Sequence, residues 1–579
     1  MVKKLSVYMG QYRRWAVLAP VLVIVEVICE IIMPRLMAAI VDVGIANSDM
    51  AYILRVGGVM LALAAVGMFC GVTSAKAASI AGQGFGANLR DSMFRKIQDF
   101  SFADIDRFSS GSLITRMTND VNAIQLTVTM GMRIITRAPV MLIAALAMAA
   151  SINGRLALVM LVVIPVMVLA IGLIMKVCNY LFEVMQRKID NLNSAVQENL
   201  VAVRVVKAFV RAGYEKTKFK KANDELTDAG IQVAMRIVMI MPVMMLCLNL
   251  ATLAVLYLGG IQVMDGAMRY GDLSSFLNYI FQILMSVMMV AMSLLQLSRA
   301  AACARRIIEV LDTQPDIQDR AERGAAALPP ARGEVEFRDV SFKYRSSGSG
   351  DDVLSHLSFT MKPGQVTAIV GGTGVGKSSL VNLIPRFYDV TGGSVRVDGV
   401  DVRDYPLEEL RSRIGMVLQN NVLFSGTIRE NLLWGKADAT EEELVQAARD
   451  AQAYDFIMSF PDGFDTRIDQ GGVNVSGGQK QRLCIARAML KKPAVLILDD
   501  STSAVDSATE AAIRESFAKN LAGTTVIIIA QRISSVQSAD QILVLDDGTV
   551  AGSGTHAELL QSNAVYQEIY QSQQEGVSE

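Results

Sequence analysis

Charge, histidine and paired cysteine are all scarce in this chain of 579 residues. Only 19% of its residues are charged, against about 25% in soluble domains. The net charge is −1. Nucleic-acid-binding domains are usually basic, so that class of partner is excluded. The six cysteines, Cys29, Cys70, Cys178, Cys247, Cys303 and Cys484, form no C-x-x-C pair, and five lie in or beside apolar helical stretches. That sets aside a disulfide framework or a zinc site and leaves small apolar packing groups. Only two histidines are present. His356 carries no evident chemistry, and His556, in GTHAELL, reads as structural.

The shortage of charge is uneven. Residues 15–300 hold nearly all the long apolar runs, while 330–579 have the composition of a soluble domain. Met1 to Arg14 is short and basic. The apolar stretch after it is too long for a signal-peptide core and contains Glu26 and Glu30, so it reads as a retained first span. A helix needs about 20 mostly apolar residues to cross a bilayer. Six segments meet this, at about 15–45, 53–82, 132–153, 156–178, 235–264 and 273–298. The 43–52 connection has no Lys or Arg, and the other short connections carry only Arg155 and Arg269. The segments 83–131 and 179–234 are long and basic. An excess of Lys and Arg marks the cytoplasmic side, which places both termini and both long loops in the cytosol. Absence of a transit peptide points to a bacterial plasma membrane.

The long loops read as helix. Asn191 to Arg211 shows apolar residues at helical spacing, so the spans are expected to continue into the cytosol. Phe102–Ser112 and Gly213–Lys220 are candidates for short docking helices where the chain reverses. The division expected is a membrane domain at 1–311, a linker at 312–333 and a soluble domain at 334–579.

Glu26 and Glu30 share one face of the first span. Carboxylates in lipid are costly and face a cavity or a partner. They either attract cationic substrates or pair with Arg133, Arg137 or Lys76. Met235, Met239, Met241, Met244, Met245, Met285, Met288, Met289 and Met292 crowd the fifth and sixth spans, suiting either an adaptable pocket or packing.

The soluble part carries the chemistry. GGTGVGKS, Gly371–Ser378, fits G-x-x-x-x-G-K-[ST] between a strand-like Val366–Val370 and the apolar SLVNLI. Backbone N–H groups of Gly371, Gly372, Thr373, Gly374, Val375, Gly376 and the residues that follow, through Ser379, would close around phosphate oxygens. Lys377 would place a cation on the β- and γ-phosphates, and Ser378 a hydroxyl on Mg²⁺. AVLILDD, Ala494–Asp500, is a buried strand ending in two carboxylates, of which Asp499 suits Mg²⁺.

With these motifs the chain resembles the ABC transporters, of the exporter type that fuses six spans to one ATPase domain. VSGGQKQR, Val475–Arg482, is similar to the family signature LSGGQ. The resemblance implies an all-α six-helix membrane domain with long cytosolic extensions, then an α/β P-loop nucleotide-binding domain. It implies ATP and Mg²⁺ as cofactors and roles for further residues. Tyr344 matches the aromatic that stacks on adenine, and Gln419 the glutamine that senses Mg²⁺. SAVD, Ser503–Asp506, resembles the loop at the dimer interface, and Arg107–Val121 the first coupling region. In the family two such domains pair head to tail, so each ATP lies between one chain's phosphate loop and the other's SGGQ. Here that means Ser476, Gly477, Gly478 and Gln479 would serve a partner's ATP.

Three departures stand out. The family's general-base glutamate is Asp500, one methylene shorter. Its switch histidine is Gln531, which cannot become cationic. Its GERG upstream of the signature reads DQGG at Asp469–Gly472. Together these resemble the degenerate-site subunit of a heterodimeric multidrug exporter, embedded in a bilayer and moving small amphipathic or lipid-like substrates. A homodimer with slow ATPase and an ATP-sensing regulatory subunit are the other readings.

Overall fold

The computed structural model describes residues 2–319, 328–344, 352–500, 505–521 and 523–575. It forms two compact units, each considered by itself. One comprises Met1–Gln98 and Gly111–Thr313, the other Asp99–Ser110 and Gln314–Glu579.

The first unit is helical. Among the described residues six helices are long and apolar enough to cross a membrane: Lys3–Ile45, Met50–Gln98, Ser110–Ile152, Gly154–Val201, Ala212–Met264 and Tyr270–Ser293. Met50–Gln98 has 49 residues. At about 1.5 Å per residue it is more than twice as long as a hydrocarbon core of about 30 Å. The extensions expected from the long loops are therefore continuous helix. The first span carries Pro34 within its helix, where a proline removes a hydrogen bond. Two hydroxyls of the last helix meet carbonyls there. Ser275 donates to Pro34 O at 2.6 Å and Tyr279 to Ile31 O at 2.8 Å. Farther along the same helix, Arg306 holds the buried Asp120 with two hydrogen bonds, at 2.7 and 2.5 Å. Such a fork is the strongest arrangement for a buried carboxylate.

The reversal in the second long loop differs from expectation. The short helix is Val203–Ala208, and 213–220 form the first turns of the returning helix Ala212–Val238. Gly213 adjoins Ala212 and Tyr214, and no breaker follows it, so helix continues. The chain turns one step earlier, at Val210, which takes φ 55°.

The second unit is α/β with twelve strands among its described residues: β1 Val335–Phe342, β2 Leu354–Met361, β3 Val366–Gly371, β4 Gly392–Val397, β5 Val400–Asp401, β6 Ile414–Val417, β7 Gly426–Thr427, β8 Arg467–Ile468, β9 Val495–Asp499, β10 Thr525–Ile529, β11 Gln541–Asp546 and β12 Thr549–Gly554. One sheet runs β12-β11-β3-β10-β9-β6 and another β2-β1-β4-β5, with β7 and β8 paired apart. The six-stranded sheet is parallel except for β12. All five residues of β9 are buried, as strands covered on both faces must be. A single apolar core joins residues of both sheets, among them Phe337, Val395, Ile369 and Ile497.

The same unit includes a segment from between the second and third spans. Phe102–Phe108 is a helix with Ser101 and Asp104 forming a capping box. Phe102 packs on Phe387 at 4.5 Å between ring centres, and Tyr388 donates to Asp106 Oδ2 at 2.9 Å. A helix of this loop thus belongs, by its packing, with the soluble domain.

Candidate functional site

Topology assembles the site. β10 lies between β3 and β9 and runs parallel to both, with Ile529 opposite both Asp499 and Ile369. Ligands of such sheets bind beyond the carboxyl ends of the strands. Three chain segments emerge there side by side: the glycine loop after β3, Asp499 and Asp500 at the end of β9, and Gln531 after β10.

The loop needs its glycines. Gly374 and Gly376 take φ 87° and 93°, where a side chain is strained. A Cβ on Gly376 would also lie 2.7 Å from Leu354 Cδ2. Lys377 opens the helix Lys377–Leu383 and donates to Gly371 O at 2.9 Å and Gly372 O at 2.5 Å. Burial pulls its ammonium below the usual lysine range, while Asp499 and Asp500 oppose the shift.

Ser378 donates to Asp499 Oδ1 at 3.0 Å. A hydroxyl and a carboxylate that meet in this way suit a hard divalent cation. Burial pushes the Asp499 carboxyl above the usual range, against the hydrogen bond from Ser378. Asp500 is raised by burial too, opposed by hydrogen bonds from Gln531 and Gln419 and by the charge of Lys377. Gln531 Nε2 donates to Asp500 Oδ2 at 2.7 Å. The shortened carboxylate and the two glutamines are therefore one cluster, tied together by hydrogen bonds. Asp500 also has φ 48°, an uncommon conformation for a residue with a side chain.

Tyr344 lies just past β1. Its hydroxyl shares a 2.9 Å hydrogen bond with Ser379 Oγ, and its ring meets Phe342 and Tyr388 edge-on at 4.8 and 5.2 Å. Tyr388 therefore touches both Tyr344 and the helix Phe102–Phe108. Sequence reasoning missed it, since nothing in RFYD marks a tyrosine that faces two ways.

Ser476 caps the helix Gly477–Leu490. Its Oγ accepts from Gln479 N at 3.3 Å, and Gln479 Oε1 accepts from Ser476 N at 2.9 Å. This capping box leaves Gly477 and Gly478 at a bare helix N-terminus, with partial positive charge. Among the described residues, no hydrogen bond joins Ser476 or Gln479 to the phosphate loop. In DQGG, Gly471 O accepts from Lys480 at 2.7 Å. Of SAVD, Ser503 and Ala504 lie outside the described residues. Asp506 caps the next helix through Thr509 N at 3.0 Å.

In the membrane unit, Arg137 settles the partner of the two glutamates. It donates to Glu26 Oε1 at 2.5 Å and to Glu30 Oε2. An unopposed anionic patch, as expected for cation attraction, is thus not what forms. Of the methionines, Met288, Met289 and Met292 line a cavity of about 350 Å³ with Met130, Ile134 and Ile135.

The family described as ABC transporter transmembrane region matches residues 16–287, and that described as ABC transporter matches 354–503. An uncharacterized ABC transporter ATP-binding protein, YfiB of Bacillus subtilis (strain 168), is 39% identical over 99% of this chain and 98% of its own. An ATP-dependent lipid A-core flippase of Syntrophus aciditrophicus (strain SB) is 34% identical over 87% of this chain and 83% of its own. Among solved structures, a bacterial Atm1-family ABC exporter with ATP bound superimposes with a TM-score of 0.81 at 26% identity, covering 97% of this chain and 99% of that one. With six apolar helices followed by a P-loop α/β domain, the chain belongs to the ABC transporter family, as a half-transporter of the fused membrane and ATPase type.

Proposed function

We propose that this chain is one subunit of a heterodimeric, ATP-driven exporter, and that its own ATP site is degenerate. The observation that carries the reading is the Asp500 cluster. A general base must reach the attacking water, and displacements of about 1 Å can cost on the order of 10²-fold in rate. Here the carboxylate is a methylene short and is engaged by Gln531 at 2.7 Å and by Gln419.

Binding and hydrolysis are assigned to different residues. The glycine loop and Lys377 would hold the phosphates, Tyr344 would stack on the base, and Ser378, Asp499 and Gln419 would hold Mg²⁺. The Ser378–Asp499 contact of 3.0 Å supports the pairing of those two ligands. Mg²⁺, when bound, supplies neutralisation of phosphate charge. Gln531 can donate to an oxygen but cannot carry the charge of an imidazolium. Ser476 and the helix start beside it complete the partner's site. Dimerisation fits the loop reversal, where Val201, Phe209 and Val210 are 83%, 73% and 87% exposed in the single chain.

We place the membrane domain at 1–311, a linker at 312–333 and the nucleotide domain at 334–579. Both termini and both long loops lie in the cytosol, in a bacterial inner membrane. Amphipathic or lipid-like substrates fit the adaptable methionines and the flippase relative. The isolated chain should bind ATP yet hydrolyse it slowly. Steady-state ATPase of the purified chain in lipid tests this, and robust turnover without a partner would remove the heterodimer.

A further inference from the structure

The two helices that carry Glu26, Glu30 and Arg137 form, with Met50–Gln98, a cavity of about 490 Å³. Its polar lining is Glu26, Glu30 and Arg133, and its apolar wall is furnished by Met33, Leu63 and Met68. Gly71 is the reason the wall can approach the charges. A Cβ there would lie 3.2 Å from the Glu26 carboxylate, so a larger residue would crowd it. Arg133 sits in a π-helical stretch, Gly131–Ile135. Such turns re-aim side chains and cluster at functional sites.

Charge at this place is separated and balanced. Arg137 is shared between two carboxylates, and the Glu30 side chain remains 42% exposed. Arg133 is exposed, and among the described residues its side chain makes no hydrogen bond or ion pair. Glu26 and Glu30 against Arg133 and Arg137 sum to zero. Measured along the helices from the short turns near 46–49 and Asn153, these residues lie about 20–30 Å deep. That is close to the far edge of a hydrocarbon core of about 30 Å, at the level of lipid headgroups. The charges of the site cancel among themselves, so a ligand with net charge of either sign leaves one charge without a counterpart. A ligand with both signs fits.

We propose that this cavity binds the headgroup of a zwitterionic phospholipid, its phosphate on Arg133 and its ammonium on Glu30, while the acyl chains stay in the bilayer. The inference rests on the reading of the chain as a transporter of lipid-like substrates and names their class.

Native mass spectrometry of the purified full-length chain tests it, without ATP. The probes are dioleoylphosphatidylethanolamine, dioleoylphosphatidylglycerol and the lipophilic cation tetraphenylphosphonium. The zwitterion should bind about tenfold more tightly than either other probe, the scale of one charge-assisted hydrogen bond. Glu30→Gln should move the preference to the anionic lipid and Arg133→Gln to the cation, each by about tenfold. Arg133 supports no other described side chain, so its variant keeps the test valid should Glu30→Gln fail to fold. Equal binding of the three probes by the wild type, or variants that change all three together, would overturn the proposal. Because the readout needs no turnover, such a failure would leave ATP-driven export by the assembled pair standing and separately measurable.

Discussion

Asp500 and Gln531 bear most of the functional reading at the scale of single residues. Asp500→Glu restores the reach of the carboxylate, and Gln531→His restores a group that can carry charge. General-base catalysis contributes about 10²–10⁴-fold. The double variant should therefore raise ATP turnover of the isolated chain more than either single change. No gain in any of the three would place the defect elsewhere. Asp499 makes a different prediction, through stability. Burial raises its carboxyl above the ordinary value, so the folded state favours the protonated form. The stability this contributes is present below the unfolded pKa, about 3.9, and is lost as pH rises through the folded value. At pH 7 the ionised group is a cost. Asp499→Asn should raise the unfolding temperature of nucleotide-free protein at pH 7, with the gain shrinking toward pH 4. Thermal unfolding followed across that range decides it, and a lower midpoint at pH 7 would contradict the account.

Elements decide which residues meet, and here the sequence was partly legible. Six spans could be read because each is a long apolar run, a signal that survives any tertiary context. The strand, glycine loop and helix were readable because the loop chemistry is local. The reversal of the second long loop was misplaced, because a turn set by Val210 at φ 55° carries no Gly or Pro to announce it. The Arg137 fork could be narrowed to a few basic residues but not chosen, since helix packing selects the partner. Tyr388 left no trace in the sequence, as its contacts with Asp106 and Tyr344 come from segments 282 and 44 residues away. It joins Tyr344 to the helix Phe102–Phe108, which the chain inserts between two spans. Tyr388→Phe keeps the ring and removes the hydrogen bond to Asp106. ATP binding should stay within about twofold, while transport per ATP falls by about tenfold, the scale of one hydrogen bond to a charged group. Paired nucleotide-binding and vesicle-transport assays would show this. Loss of ATP binding instead would mean that the hydroxyl supports Tyr344 and not the docked helix.

For the whole molecule the issue is which of two ATP sites turns over. In the proposed assembly one chain supplies a phosphate loop to its own ATP and a signature to its partner's, so two motifs of this chain would serve different sites. Ser476 lies at a helix start, where a preorganised donor to developing charge is worth on the order of 10²–10³-fold in rate. Asp500 serves the site proposed to hydrolyse little. The direct measurement is ATPase of the assembled pair carrying either Ser476→Ala or Asp500→Asn in this chain. The account predicts that Ser476→Ala lowers turnover by about 10²-fold or more, while Asp500→Asn leaves most of it. Turnover abolished as completely by Asp500→Asn as by Ser476→Ala would contradict it, and would make this chain's own site a working ATPase.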